Sequence, residues 1–165
     1  MASLSSEVRG LRETQANMEK IVADLRGGPF EHGMRDATLV VERAAKMNLV
    51  GYEGPTVGGV DTGRLRASIT PEVRSLGDSI QGVVGSNVSY APFQEVGTRP
   101  FWPPIAALET WARRHGTTAF VVARAISRRG IKGKRYLQRA FEDNKDRIIA
   151  MLEKAVAGIV SRRGG

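Results

Sequence analysis

The sequence predicts an α+β fold, with a small antiparallel sheet flanked by helices, a long N-terminal helix and a long C-terminal helix. Three observations predict it. A heptad-spaced apolar stripe fills the start of the chain, two alternating stretches flank Gly77-Asp78, and helical periodicity returns from Ile105 onward. A chain of 165 residues suits one compact domain with an extended appendage. We divide it into an assembly arm at 1–28 and a single α+β domain at 29–165, the latter including a basic helical insert at 101–139.

From Ser3 to Arg26, the residues Leu4, Val8, Leu11, Met18, Val22 and Leu25 alternate spacings of four and three, with Gln15 in the one gap. Ser5 or Ser6 caps the start, and Gly27-Gly28-Pro29 ends the helix. So narrow a stripe calls for a partner helix, in its own domain or on a neighbouring subunit. A second helix is expected from Phe30 or Glu31 to about Asn48, with Met34, Ala37, Val41, Ala44 and Ala45 on one face. Gly51 to Gly59 holds four glycines and a proline, a loop that a partner would order. Asp61 to Arg66 resembles a helical turn capped by the Asp61 carboxylate.

Ile69 to Leu76 and Ser79 to Asn87 form the hairpin, and glycine first in its two-residue turn suits type II′. Ile80, Gly82, Val84, Ser86 and Val88 share one face. Two strands alone are marginal, so a third is expected to pair with them, from this chain or another. Tyr90 to Thr98 is too short for a full helix and too punctuated for a strand. Prolines 100, 103 and 104 then bracket Phe101 and Trp102. Helices follow at Ile105 to His115, Thr118 to Arg129 and Lys134 to Ser161, the last with Leu137, Phe141, Asn144, Ile148, Met151 or Leu152, Ala155 and Ile159 on one face.

Composition narrows the function. Apolar residues make up 41% of the chain and aromatics 6%, so a core can form from Val, Leu, Ile and Ala. The absence of cysteine removes disulfides, thiolate metal sites and thiol catalysis, and fits an intracellular origin. No basic, then apolar, leader and no long uncharged stretch is found, so neither secretion nor a membrane partner is expected. The formal charge of +8 and pI near 10.4 call for a polyanionic or acidic partner. Between Glu109 and Glu142 lie nine cations and no acid: Arg113, Arg114, Arg124, Arg128, Arg129, Lys132, Lys134, Arg135 and Arg139. All but Arg139 are taken as candidate contacts for DNA or an acidic partner.

Catalytic patterns are missing. His32 and His115 have no metal-ligand spacing, no Gly-x-Ser-x-Gly elbow occurs, and Gly133-Lys134 lacks the upstream glycine of a phosphate loop, Arg128 standing there instead. Glu142, Asp143 and Asp146 alternate with Lys145 and Arg147 as on a solvated helix face. No catalytic, cofactor-binding or metal-binding residue is therefore assigned, and no enzymatic role. Gly130-Ile131-Lys132-Gly133 is the sharper motif, because a basic Gly-x-x-Gly loop between helices clamps single-stranded backbone in KH domains. The strand that should feed the first of those helices is absent. A nucleic-acid-binding module built on residues 130–133 is the alternative reading.

Two ordered stretches change the weight of these readings: Val60-Asp61-Thr62-Gly63-Arg64-Leu65-Arg66-Ala67-Ser68-Ile69, then Val84 through Tyr90-Ala91-Pro92-Phe93-Gln94-Glu95-Val96-Gly97-Thr98-Arg99-Pro100. They resemble the minor tail and tail-completion (head-tail joining) family of long-tailed bacteriophages. Phe101-Trp102-Pro103-Pro104-Ile105, Leu108-Glu109 with Trp111-Ala112, and Tyr136 to Glu142 extend the likeness to its longer subgroup, similar to lambda minor tail protein Z. Lys134-Arg135-Tyr136-Leu137 departs from that subgroup's Arg-Pro-Phe-Leu by lacking the proline. The resemblance implies a structural subunit of the virion neck, assembled in the host cytoplasm as a homo-oligomeric ring, a hexamer, beside tail-terminator or tail-tube proteins, with viral double-stranded DNA in its channel. The candidate subunit-interface residues are Leu4, Val8, Leu11, Met18, Val22, Leu25, Tyr90, Phe93, Glu95, Phe101 and Trp102.

Overall fold

A computed structural model describes residues 4–50 and 63–163, with side chains described for 12–50 and 63–162. The architecture is α+β, as the periodicities predict. In chain order the elements are α1 (Leu4–Leu25), α2 (Gly28–Val50), α3 (Arg64–Ser68), β1 (Ile69–Leu76), β2 (Ser79–Ser86), α4 (Ala91–Val96), α5 (Ile105–Arg114), α6 (Ala119–Arg129), α7 (Tyr136–Glu142) and α8 (Lys145–Arg163). The glycine-rich loop and the Asp61 cap lie outside the described residues. α3 starts after Gly63, whose φ of 74° suits glycine, and no described side chain caps it.

The chain divides into two compact units. The first comprises Met1–Val41, Pro71–Val84 and Asp143–Gly165, so α1, treated above as an arm, shares a unit with α8 and packs on it. Small residues permit the close approaches here. A Cβ on Gly33 of α2 would come within 2.7 Å of the Ala155 Cβ on α8. One on Gly82 of β2 would come within 2.6 Å of the Thr38 Cγ2 and 2.9 Å of the Met34 Sδ on α2. β2 therefore comes close to α2 at Gly82, against Met34 and the buried Thr38.

Among the described residues the sheet has only β1 and β2, and a helix lies close to β2, an arrangement that also helps to make a hairpin viable. Its turn holds Gly77 at φ 60°, as the glycine-first turn requires. We expect Gly82→Ala to lower the thermal midpoint. Overpacking costs about 1–3 kcal/mol and outweighs the roughly 0.5–1 kcal/mol gained by replacing a strand glycine. Gly85→Ala, whose Cβ would meet nothing within 4 Å, should match or exceed the unmodified chain. Equal midpoints for the two variants would show that β2 does not seat on α2.

The second unit comprises Glu42–Thr70 and Gly85–Glu142. Its core is built from Ala45, Leu49, Ile69, Val88, Ala91, Ala112, Ala119, Ala123, Tyr136 and Ala140. α5 packs on α6 through Ala112, Ala119 and Ala123, and the Thr118 hydroxyl caps α6 by accepting from the Val121 amide at 3.4 Å.

Two expectations need correction. Tyr90 to Thr98 does contain a helix, the six-residue α4, with Pro92 in its first turn where no donor is lost. The single helix expected from Lys134 to Ser161 is two, α7 and α8, separated at Asp143-Asn144. The Asn144 carbonyl accepts from the Ile148 amide, as a residue at the start of a new helix does, and short polar side chains favour helix starts over interiors. Phe141, placed on the buried stripe of one long helix, is consequently exposed. Among the described residues no helix is long and apolar enough to cross a membrane.

Candidate functional site

The second unit is organised around a seam where two backbone segments, Gln94 to Arg99 and Gly130 to Gln138, run against each other. Gly97 and Lys132 form an antiparallel bridge. The Thr98 amide donates to the Ile131 carbonyl at 2.9 Å, and the Thr98 Oγ1 accepts from the Ile131 amide at 3.0 Å. The Lys134 amide donates to the Gln94 carbonyl at 2.7 Å and the Arg135 amide to the Glu95 carbonyl at 2.9 Å.

Glycine makes this approach possible. Gly97 (φ 88°, ψ −173°) and Gly130 (φ 69°, ψ −163°) occupy a backbone region that is essentially glycine-only. A Cβ on Gly97 would strike the Ile131 carbonyl and lie 2.6 Å from the Gly133 nitrogen. One on Gly130 would strike the Thr98 carbonyl and lie 2.9 Å from the Arg99 carbonyl carbon, and one on Gly133 would lie 2.6 Å from the Glu95 carbonyl oxygen. Both glycines of the Gly-x-x-Gly loop are thus required by contacts inside the chain, and the Ile131 amide that could face a nucleic-acid backbone is already bonded to Thr98.

Glu95, expected at a subunit contact, faces inward: its Oε2 accepts from the Leu137 amide and its Oε1 from the Gln138 amide, both at 2.9 Å. Those are the second and third residues of α7, so a carboxylate from 42 residues away supplies the cap that the local sequence lacks. This accounts for the start of α7 at Tyr136 without the proline of the resembling subgroup. Arg135 precedes it at φ 49°, a left-handed conformation closed to proline. Arg135→Pro should cost about 3 kcal/mol or more by denaturation, since it also removes the amide bonded to Glu95. Arg135→Gly should be neutral or stabilising by up to about 1 kcal/mol. A proline variant as stable as the unmodified chain would exclude this backbone geometry.

Tyr136 is fully buried. Its carbonyl accepts from the Asn48 Nδ2 at 3.1 Å, while its hydroxyl finds no hydrogen-bond partner among the described residues. Burial first, then the charges of Glu95 and Tyr90, push the phenol up to about 12. Lys134 must also be corrected: it is buried, and desolvation holds its ammonium below the ordinary lysine range, so it is no surface contact for a polyanion.

The other predicted residues divide by exposure. Arg113, Arg114, Arg124, Arg128, Arg129, Lys132 and Arg135 are exposed. Arg113 and Arg114 end α5 and Arg128 and Arg129 end α6, where cations complement the helix dipole. Tyr90, Phe93, Phe101 and Trp102 are exposed, Trp102 meeting Phe120 edge to face at 5.9 Å. On α1, Met18 and Val22 are exposed and Leu25 half-buried, while the side chains of Leu4, Val8 and Leu11 lie outside the description. Of the histidines, His32 is exposed and His115 stacks on Trp111 with its Nδ1 2.9 Å from the Trp111 carbonyl.

Several surface residues were missed. Val96 is 80% exposed, and Phe120 and Val121 are exposed on α6 beside Arg124. The signal was present, because the stripe Ala119, Ala123 and Ile126 turns positions 120, 121, 124 and 128 outward. Arg99 was missed for a different reason: only the seam brings it beside the basic stretch. Arg64, Ala67, Ser68, Asn87, Val88 and Ser89 line an open cleft of about 550 Å³. Among the described residues no group of three or more His, Cys, Asp or Glu side chains is placed to hold a metal ion. No family model, curated protein or solved structure matches the chain.

Proposed function

We propose that this chain is a non-enzymatic structural subunit of the neck of a long-tailed bacteriophage, forming a homo-oligomeric ring, a hexamer on the resemblance, that joins or completes the tail. The observation that carries the reading is how the resembling segments use their side chains. Four of their polar side chains bond within the chain: Ser68 Oγ lies 2.7 Å from Ser86 Oγ, Thr98 holds Ile131, and Glu95 caps α7. Their large apolar groups, Tyr90, Phe93, Val96, Phe101 and Trp102, are exposed instead. A catalytic signature would aim polar groups at a substrate. A segment whose Ser68, Ser86, Thr98 and Glu95 side chains are engaged within the chain while its aromatics face outward is suited to being covered by another protein surface.

Ring closure needs heterologous side-to-side contacts, which these residues and the Met18 and Val22 positions of α1 would supply. Neighbouring tail-terminator or tail-tube proteins would cover the ring's two ends. The test is deletion from the producing phage: full heads beside separate or unstable tails are expected, and normal infectious virions would refute the proposal. In parallel, the purified chain should sediment as an oligomer that Phe93→Asp with Val96→Asp reduces to smaller species while leaving the circular dichroism spectrum unchanged.

A further inference from the structure

The seam brings Arg99 to the basic stretch that carries Arg128, Arg129, Lys132 and Arg135. Arg99 follows Thr98, which grips Ile131, and its carbonyl carbon lies 2.9 Å from where a Gly130 side chain would begin. The end of α6, which carries Arg128 and Arg129, therefore lies against the backbone of Arg99. Lys132 is bridged to Gly97, and the Arg135 amide is bonded to the Glu95 carbonyl. All five side chains are exposed, and none forms an ion pair with a described residue. The acid of the seam, Glu95, is committed to the amides of α7, and from Arg99 to Phe141 the sequence holds no other acid than Glu109.

We infer that Arg99, Arg128, Arg129, Lys132 and Arg135 form a binding site for the phosphate backbone of nucleic acid. The uniform sign of the cluster favours this partner over an acidic protein. Protein–protein interfaces are depleted of charge at their centres, whereas nucleic-acid interfaces are strongly positive throughout, matching a polymer charged at every repeat. Contact runs through side chains alone, since the loop glycines are packed against Thr98, Arg99 and Glu95. Recognition is therefore sequence-independent and sensitive to salt. The site stands on the seam's geometry and is independent of the neck proposal.

The purified full-length chain should be titrated into labelled random-sequence duplex DNA, with single-stranded DNA and polyglutamate as separate arms. Engagement of all five cations gives a log–log salt slope of about −4.5 between about 50 and 200 mM salt. Arg99→Glu with Arg128→Glu should weaken duplex binding at least about 10-fold and flatten the slope by about 2. Arg99→Gln with Arg128→Gln should act in the same direction if the first pair perturbs folding. Arg12→Glu with Arg35→Glu, exposed residues of the first unit that change net charge equally, should stay within about 3-fold of the unmodified chain. Tighter binding of single strands than duplex would support the phosphate site and change only its preferred form. Equal losses from the two glutamate pairs, no binding at about 100 mM salt, or polyglutamate competing as well as duplex at equal charge would each overturn the inference. A ring that assembles normally without binding DNA would reject this site and leave the neck proposal intact.

Discussion

Gly130→Ala is expected to lower stability by about 2–6 kcal/mol, a large share of the roughly 5–15 kcal/mol that holds a domain folded. Two costs combine. A side chain at φ 69°, ψ −163° carries about 1–3 kcal/mol of backbone strain. Its Cβ also meets backbone at Thr98 and Arg99, which cannot swing aside as a flexible side chain would, adding about 1–3 kcal/mol. Gly97→Ala should behave alike, with φ 88° and backbone of Ile131 and Gly133 in its path. The two together should cost less than their sum, because either alone opens the same seam. Gly116→Ala is the control: φ is 63° but nothing lies within 4 Å of the added Cβ, so only about 1–2 kcal/mol of strain applies. Urea denaturation gives the comparison, and losses at Gly97 and Gly130 no larger than at Gly116 would mean that the segments do not meet.

Tyr136→Ala is the second large effect, about 3–5 kcal/mol for emptying a fully buried aromatic site. Tyr136→Phe should cost nothing, or stabilise by up to about 1 kcal/mol, because the hydroxyl it removes is buried without a partner among the described residues. A loss above about 1 kcal/mol in the phenylalanine variant would mean that the hydroxyl has a partner after all. The phenol also ties stability to pH. An unfolded tyrosine ionises near 10, while the folded phenol is pushed up to about 12, so the unfolded chain loses its proton first. The contribution is complete below pH 10 and disappears as pH rises through 10 toward 12. Subtracting the Tyr136→Phe curve isolates it from the other groups that titrate there, and parallel curves across that window would refute the assignment.

Most of the secondary structure was legible before any coordinates. The heptad spacing of Met18, Val22 and Leu25 and the small-residue face of Ala37, Val41 and Ala45 marked α1 and α2. Gly77-Asp78 marked the hairpin turn, and Thr118 and Gly130 marked the ends of α6. The break at Asp143-Asn144 was overlooked because helical periodicity continues in phase from Leu137 to Ile148, and only the polar pair between them speaks against one helix. α4 was overlooked because six residues are too few to display a period.

The candidate site was far less legible. Glu95 was identified as a residue of interest, yet its role depends on amides 42 and 43 positions away. Lys134 looked like its basic neighbours and proved buried, whereas Arg99 looked like part of a motif and proved to join them. The sequence by itself determined most of the helices, both strands and the turn between them, and that positive charge accumulates after Glu109. Those properties follow from local backbone geometry and from composition. Only the tertiary structure decided which glycines meet backbone, which carboxylate caps α7 and that Arg99 lies against the end of α6. Such outcomes are set by contacts between distant segments, and no spacing of neighbouring residues encodes them.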